Sequence, residues 1–255
     1  MDEVTATPQP SDDSNGMSLS DKLMNVFSAP GELFESVAKS EKQNSNWSIP
    51  LILTMVVSII FVLVAFSQAP VQDQIREQTE KSIQKSVAAG RMTQEQADMA
   101  MSKNPAQPGS PLFMIFGSVG AVLMSAVILF GFALVFWLVG KWVFKSAATY
   151  SKVLEVVGLS MYISVLGTII TLLLIVAMGS IYATPSLALA VSHYDPTDKL
   201  DKVLSAVNGA TFWFLAIIAV GLAKLFSVKA VKTYAAVGVL WALWTAASVL
   251  VNFGS

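Results

Sequence analysis

Cysteine is absent from all 255 residues, and histidine occurs once, at His193. No disulfide, thiolate metal site or cysteine nucleophile is therefore possible, and one histidine cannot build a His-based metal cluster. Charge is also scarce. Asp, Glu, Lys and Arg make up 13% of the chain, about half the roughly 25% of a soluble domain. What charge there is nearly cancels, 16 Lys and Arg against 17 Asp and Glu, for a net charge of −1. A chain with no basic face is not built for nucleic acid, so no nucleic-acid partner is expected. The surplus is apolar: 54% of residues are hydrophobic and the mean hydropathy is +0.62. A single core cannot bury that much apolar side chain, and the excess belongs in a bilayer.

A helix needs about 20 apolar residues to cross the hydrocarbon layer. The stretches between successive charges supply five, at about 49–66, 112–139, 156–182, 207–223 and 233–251. The third cannot hold two crossings, because Thr184-Pro185 breaks it and 187–191 is long enough only for the interface. Open strands would leave backbone groups unsatisfied in lipid, so the expected fold is all-α: a polytopic membrane protein with five transmembrane helices. The first span opens at Trp47-Ser48-Ile49-Pro50, with Pro50 expected in its first turn and Trp47 at headgroup level. No signal peptide is expected ahead of it.

Lysine placement sets the orientation. Lys141, Lys145 and Lys152 lie in the second connection and Lys224, Lys229 and Lys232 in the fourth, neither of which contains an acid. The longer first connection balances five bases with five acids, and the third is acidic. Basic loops stay inside, which predicts a multi-pass protein of the cell (cytoplasmic or inner) membrane. Its N-terminus is then cytoplasmic and its C-terminus extracytoplasmic.

Outside the spans, 1–17 reads as a disordered N-terminal tail, polar and Pro/Asp-rich. Residues 18–46 read as a cytoplasmic amphipathic segment. Leu19, Leu23 and Phe27 recur at helical spacing, then Leu33, Phe34 and Val37 do so, with a break at Ala29-Pro30. Phe27, Pro30 and Phe34 are its candidate membrane-surface residues, and the other reading is a collar packed on the protein's own loops. The loop 67–110 reads as an extracytoplasmic helical hairpin. One helix covers 71–89, Gly90 ends it, and Thr93 with Gln96 forms a capping box for a second helix to about 101.

No ionisable residue falls well inside a span. Glu155 sits at the mouth of the third, close to Lys152, so an ion-coupled transporter lacks its usual carboxylates. Small residues are patterned instead: Ser160, Ser164 and Thr168, beside Gly167 and Thr171, in the third span, and Gly238, Ala242 and Ala246 in the fifth. Stripes of this kind let helix backbones approach closely, which predicts packing within the chain or an interface with a partner or a second copy. Enzyme motifs are missing. Gly140-Lys141 lacks the upstream glycine of a phosphate loop, and consecutive Ser192-His193-Tyr194-Asp195 cannot stack as a triad. No cofactor and no catalytic residue is expected.

Several short motifs bear a family likeness: Phe27-Ser28-Ala29-Pro30-Gly31-Glu32-Leu33-Phe34 before the first span, Trp47 to Pro50 at its mouth, and Tyr150-Ser151-Lys152-Val153-Leu154-Glu155-Val156-Val157-Gly158 entering the third. With the close last two spans around Lys224, they resemble the Yip-type (Ypt/Rab-interacting protein) membrane family, in what looks like its prokaryotic branch. The resemblance covers about 19–253 and implies a Yip-like transmembrane domain over 47–253 with five spans and a cytoplasmic N-terminus. It implies a non-enzymatic role among membrane lipids and protein partners. The Asp-Leu-Tyr-Gly-Pro motif of eukaryotic members is missing, so small GTPase binding is not carried over. The expectation is an interaction or membrane-organising component; the alternative is a subunit of a transporter or channel for a small solute or lipid.

Overall fold

The structure is a computed structural model that describes residues 17–102, 107–191, 194–196 and 198–251. Most of the expected tail, together with Ser192 and His193, lies outside them. Among the described residues there are ten α-helices, a single 3₁₀ turn at Leu187–Ala190 and no strand. Five helices are long and apolar enough to cross a membrane: α3 (Ser45–Ala65), α6 (Pro111–Trp142), α7 (Tyr150–Met178), α9 (Gly209–Phe226) and α10 (Ala230–Val251). The chain is an all-α polytopic membrane protein.

The bounds differ from expectation where polar residues join a helix. The third span starts at Tyr150 rather than 156, because Lys152 and Glu155 pair within it at 3.2 Å. It ends where Gly179 adopts φ +62°, a left-handed conformation that favours glycine. The first span begins at Ser45, which puts Pro50 inside α3 rather than in its first turn. Pro50 has no N–H to give the Asn46 carbonyl, and that carbonyl faces Gly158 of α7.

α7 is the central helix. It runs fully buried from Val153 to Ile163, and α3, α6 and α9 pack around it with Leu129, Phe136, Leu159, Ile218 and Leu222 in the shared core. Gly158 lets α3 approach closely, since a Cβ there would lie 2.4 Å from the Trp47 Cα. α10 leans on α9 through Thr233 and Val237, both buried, and the Thr233 hydroxyl donates to the Ala219 carbonyl at 2.8 Å.

One end of the bundle carries Lys141, Lys145, Lys152, Lys224, Lys229 and Lys232; it is called the basic end, and the opposite one the far end. At the far end stand α4 (Ala69–Ala88), α5 (Gln94–Ser102) and the short α8 (Lys199–Ala206). Thr93 and Gln96 cap α5 reciprocally, at 3.0 and 3.2 Å. α8 was not expected from sequence; Asp198 caps it by accepting from the Leu200 and Asp201 amides.

Before the first span, α1 (Leu19–Ser28) and α2 (Pro30–Lys39) meet at Ala29. Ser18 and Asp21 form a capping box on α1, and Pro30 opens α2, where its missing N–H costs nothing. The two helices are part of the bundle. Val26, Leu33, Phe34 and Val37 lie in the main core, and a Cβ on Gly221 of α9 would sit 3.1 Å from the Phe34 ring. Glu35 pairs with Lys224 at the basic end of α9, whereas the Phe27 ring meets Trp213 near the other end of that helix. The hairpin therefore enters beside α9 and turns back, instead of lying flat across the end of the bundle.

Candidate functional site

Three places concentrate polar chemistry in this apolar molecule. The first is a cleft of about 530 Å³ in the far half of the bundle, walled by α3, α6, α7 and α9. Phe66, at the end of α3, and Asn208, just before α9, mark its mouth. Ser58, Ser164, Thr168, Thr171 and Thr211 line its walls, with Phe61 and Phe214 between them. Towards the basic end it is blind: the Phe214 ring meets Phe132 at 6.2 Å, and Leu129, Leu159 and Ile163 fill the space beyond without exposure.

Ser164 and Thr168 of the third-span stripe thus open into one cavity, while Ser160 does not. Ser160 is fully buried and donates to the Val156 carbonyl at 2.8 Å. Thr168 and Thr171 likewise turn their hydroxyls back onto the Ser164 and Gly167 carbonyls, at 2.9 and 2.8 Å. Asn208 was not expected here; its side-chain oxygen caps α9 by accepting from the Ala210 and Thr211 amides, at 2.9 and 3.2 Å. Asparagine directly ahead of a glycine-led apolar run is an N-cap signal, and it could have been read from the sequence. No ionisable side chain lines this cleft.

The second place is a sealed ionic cluster at the basic end. Glu155 has no exposed surface. Its carboxylate accepts from Asn46 Nδ2 at 2.6 Å and from the Gln43 amide at 3.3 Å, and Lys152 stands 3.2 Å away. Lys22 of α1 donates to the side chains of Asn46, at 2.9 Å, and Gln43. Burial lowers the Lys22 pKa, and the Glu155 charge works against that. Lys152 also donates to the Val37 and Glu41 carbonyls, at 2.9 and 3.0 Å, closing off the end of α2. The cluster joins the N-terminal hairpin to α3 and α7. Outside it, Lys224 and Lys39 hold the Glu35 carboxyl down at about 2 by hydrogen bonds and charge.

The remaining candidates lie apart. Phe34 is fully buried, Pro30 is half-buried, and only Phe27 faces outward. It does so in a row with Leu19, Leu23 and Met24, all more than a third exposed. Gly238, Ala242 and Ala246 of α10 all point away from the bundle, and nothing lies within 4 Å of where a Gly238 Cβ would stand. Among the described residues these three positions are exposed rather than buried in a helix contact.

A third, wider cleft of about 840 Å³ lies at the far end, between α4 and the segment after α7. Its lining sets Lys81, Lys85, Arg91 and Lys202 against Glu77 and Asp195, so both signs are present with positive charge in excess. The rings of Tyr182 and Tyr194 meet in it at 4.7 Å, tilted by 38°. Among the described residues no group of three or more His, Cys, Asp or Glu could hold a metal ion.

No curated protein and no solved structure matches the chain. The family model for the Yip1 domain does, over residues 24–251. That range takes in most of the embedded hairpin as well as all five apolar helices, and the chain belongs to the Yip1 domain family.

Proposed function

We propose that this protein is a non-enzymatic component of the cytoplasmic membrane that organises the lipids and proteins around it. Its N-terminus faces the cytoplasm and its C-terminus the outside in this reading, as the acid-free lysine loops favour. The observation that carries it is the N-terminal hairpin. Leu19, Leu23, Met24 and Phe27 form an outward apolar row, and Phe27 touches Trp213 on a membrane-spanning helix. That row adjoins the apolar face of α9, and in this reading α1 is a wedge that enters the bilayer from the cytoplasmic face and reaches along α9 towards Trp213. Amphipathic helices placed in this way respond to lipid packing and curvature.

A transporter subunit is the second reading, favoured by the hydroxyls of the far-half cleft. The aromatic and aliphatic plug behind Phe214 weighs against it. Reconstitution into vesicles separates the two. The organising role predicts that wild-type protein changes vesicle diameter, that Leu23→Lys with Met24→Lys abolishes the change, and that solute flux is absent. Solute flux that depends on Ser164 and Thr168 overturns it.

A further inference from the structure

The far-half cleft contains hydrogen-bond donors that the described residues do not use. Ser160, Thr168 and Thr171 all return their hydroxyls to a carbonyl one turn back. Ser164, on the same helix, does not, and its hydroxyl has no partner among the described residues. The Thr211 hydroxyl is in the same position. Asn208 spends its side-chain oxygen on the α9 amides, and its NH₂ group has no partner among the described residues. Three unused donors thus lie along one cavity of an apolar bundle. These donors reach the open space of the cleft rather than being sealed in the bundle, and within a bilayer an occupant that brings acceptors satisfies them best.

The rest of the lining narrows its chemistry. No cationic side chain reaches the cleft, so a phosphate or a free carboxylate finds no counter-charge. No acid is present to hold an amine or a metal ion. Phe61, Phe66 and Phe214 supply apolar wall beside the donors, which disfavours a column of water. The volume, about 530 Å³, falls within the roughly 300–1,000 Å³ of small-molecule sites. A neutral acceptor group joined to a long apolar chain fits each of these features.

We infer that the cleft binds one diacyl lipid by its glycerol-ester region, the ester carbonyls accepting from Ser164, Thr211 and Asn208 and one acyl chain lying along Phe61, Phe66 and Phe214. Phe66, just past the end of α3, and Asn208, just ahead of α9, both line the cleft, so it opens where two spans end. The blind inner end makes the cleft a holding site and not a conduit. This inference is independent of the hairpin. A protein that reshapes vesicles but ignores the ester group would keep the organising role and lose the lipid site.

The test compares two lipids with the same ethanolamine headgroup and chain length, one diacyl and one dialkyl ether, whose linkage lacks the carbonyls. The purified full-length chain in detergent is equilibrated with each, and retained lipid is counted by native mass spectrometry. The diacyl lipid should be held about tenfold more tightly, equivalent to ~1.4 kcal/mol. Ser164→Ala with Thr211→Val should abolish that preference while the thermal transition stays in place. Ala121→Phe, which fills the cleft from α6, should lower retention of both lipids. A diazirine-bearing acyl chain should crosslink wild-type protein at Phe61 or Phe214, which covers the case of a variant that fails to fold. Equal retention of ester and ether lipids by the wild type overturns the inference, as do a preference that survives the double variant and crosslinks confined to the outer faces of α6 and α10.

Discussion

Replacing Glu155 by Leu should be among the most damaging single changes outside the packed glycines. The sealed cluster holds two cations and one anion, with Lys22 only 5% exposed and the Glu155 side chain not exposed at all. Removing the carboxylate leaves Lys22 and Lys152 facing each other, and strands Asn46 Nδ2 and the Gln43 amide, both of which donate to Glu155. Breaking a buried ion pair from one side costs about 3–5 kcal/mol, because the surviving charge stays desolvated. For a chain of this size that corresponds to a fall of roughly 6–20 °C in the unfolding midpoint. Taking Lys22 away together with Glu155 restores the original excess of one positive charge. Lys22→Met with Glu155→Leu should therefore be more stable than Glu155→Leu alone, with a coupling of about 1–3 kcal/mol. Thermal unfolding in detergent measures both. A local readout is available because the chain has no cysteine: a thiol at Val26, buried under the hairpin, should react slowly in the wild-type background and quickly with Glu155→Leu. A Glu155→Leu protein as stable as the wild type, or a double variant that loses the sum of the two single changes, would refute the account of the cluster.

Gly158→Val should push α3 and α7 apart, since even a Cβ meets the Trp47 backbone at 2.4 Å and the Asn46 carbonyl oxygen at 2.8 Å. The loss should be at least the ~1–3 kcal/mol of an overpacked core, read as a lowered midpoint in detergent. Ala242→Leu should leave the isolated chain within about 0.5 kcal/mol of wild type, because its face is outward, and Gly238→Ala should stabilise α10 by about 0.5–1 kcal/mol; a large loss in either would place a neighbour on that face. The Glu35 carboxyl, held at about 2 against an ordinary 4.5, gives a pH test. A depressed carboxylate contributes fully above 4.5 and loses its contribution as pH falls from there towards 2, so the unfolding midpoint in detergent should fall over that window, and by less in Glu35→Gln. Orientation is checked with an impermeant thiol reagent on intact cells: a cysteine at Lys85 should label from outside, and cysteines at Lys145 or Lys229 should not.

The number and order of the spans could be read from charge spacing alone, because desolvation leaves few alternatives for 20 apolar residues in a row. The caps were equally readable: Thr93 with Gln96 and the Ala29-Pro30 junction stand where the residues place them. Orientation within the bundle was not readable in this way. Gly238, Ala242 and Ala246 share one side of α10, and α-helical geometry guarantees that much, but it does not say what the side faces. In a soluble protein the apolar side of a helix turns inward, whereas in a bilayer both sides are apolar and hydropathy carries no inside or outside. The same limit applies to Phe27 and Phe34. Both are apolar residues of one short segment, yet Phe34 fills the notch left by Gly221 and Phe27 looks outward.

Polar residues show what hydropathy cannot, because in an apolar bundle each one must be accounted for by a partner. Followed pairwise, they divide the molecule into two unlike halves. At the basic end Lys22, Gln43, Asn46, Lys152 and Glu155 satisfy one another, and among the described residues no buried side-chain nitrogen or oxygen lacks a partner. That end is closed, and its order is bought with ionic groups that bind the hairpin to the helices. In the far half the donors of Ser164, Thr211 and Asn208 reach open space instead, within a cleft that the Phe132–Phe214 contact separates from the sealed cluster. A path through the protein would require polar groups to continue across that contact, and Leu129, Leu159 and Ile163 stand there instead. The polar chemistry of the bundle is thus held in two separate places, the sealed cluster at the basic end and the open cleft in the far half.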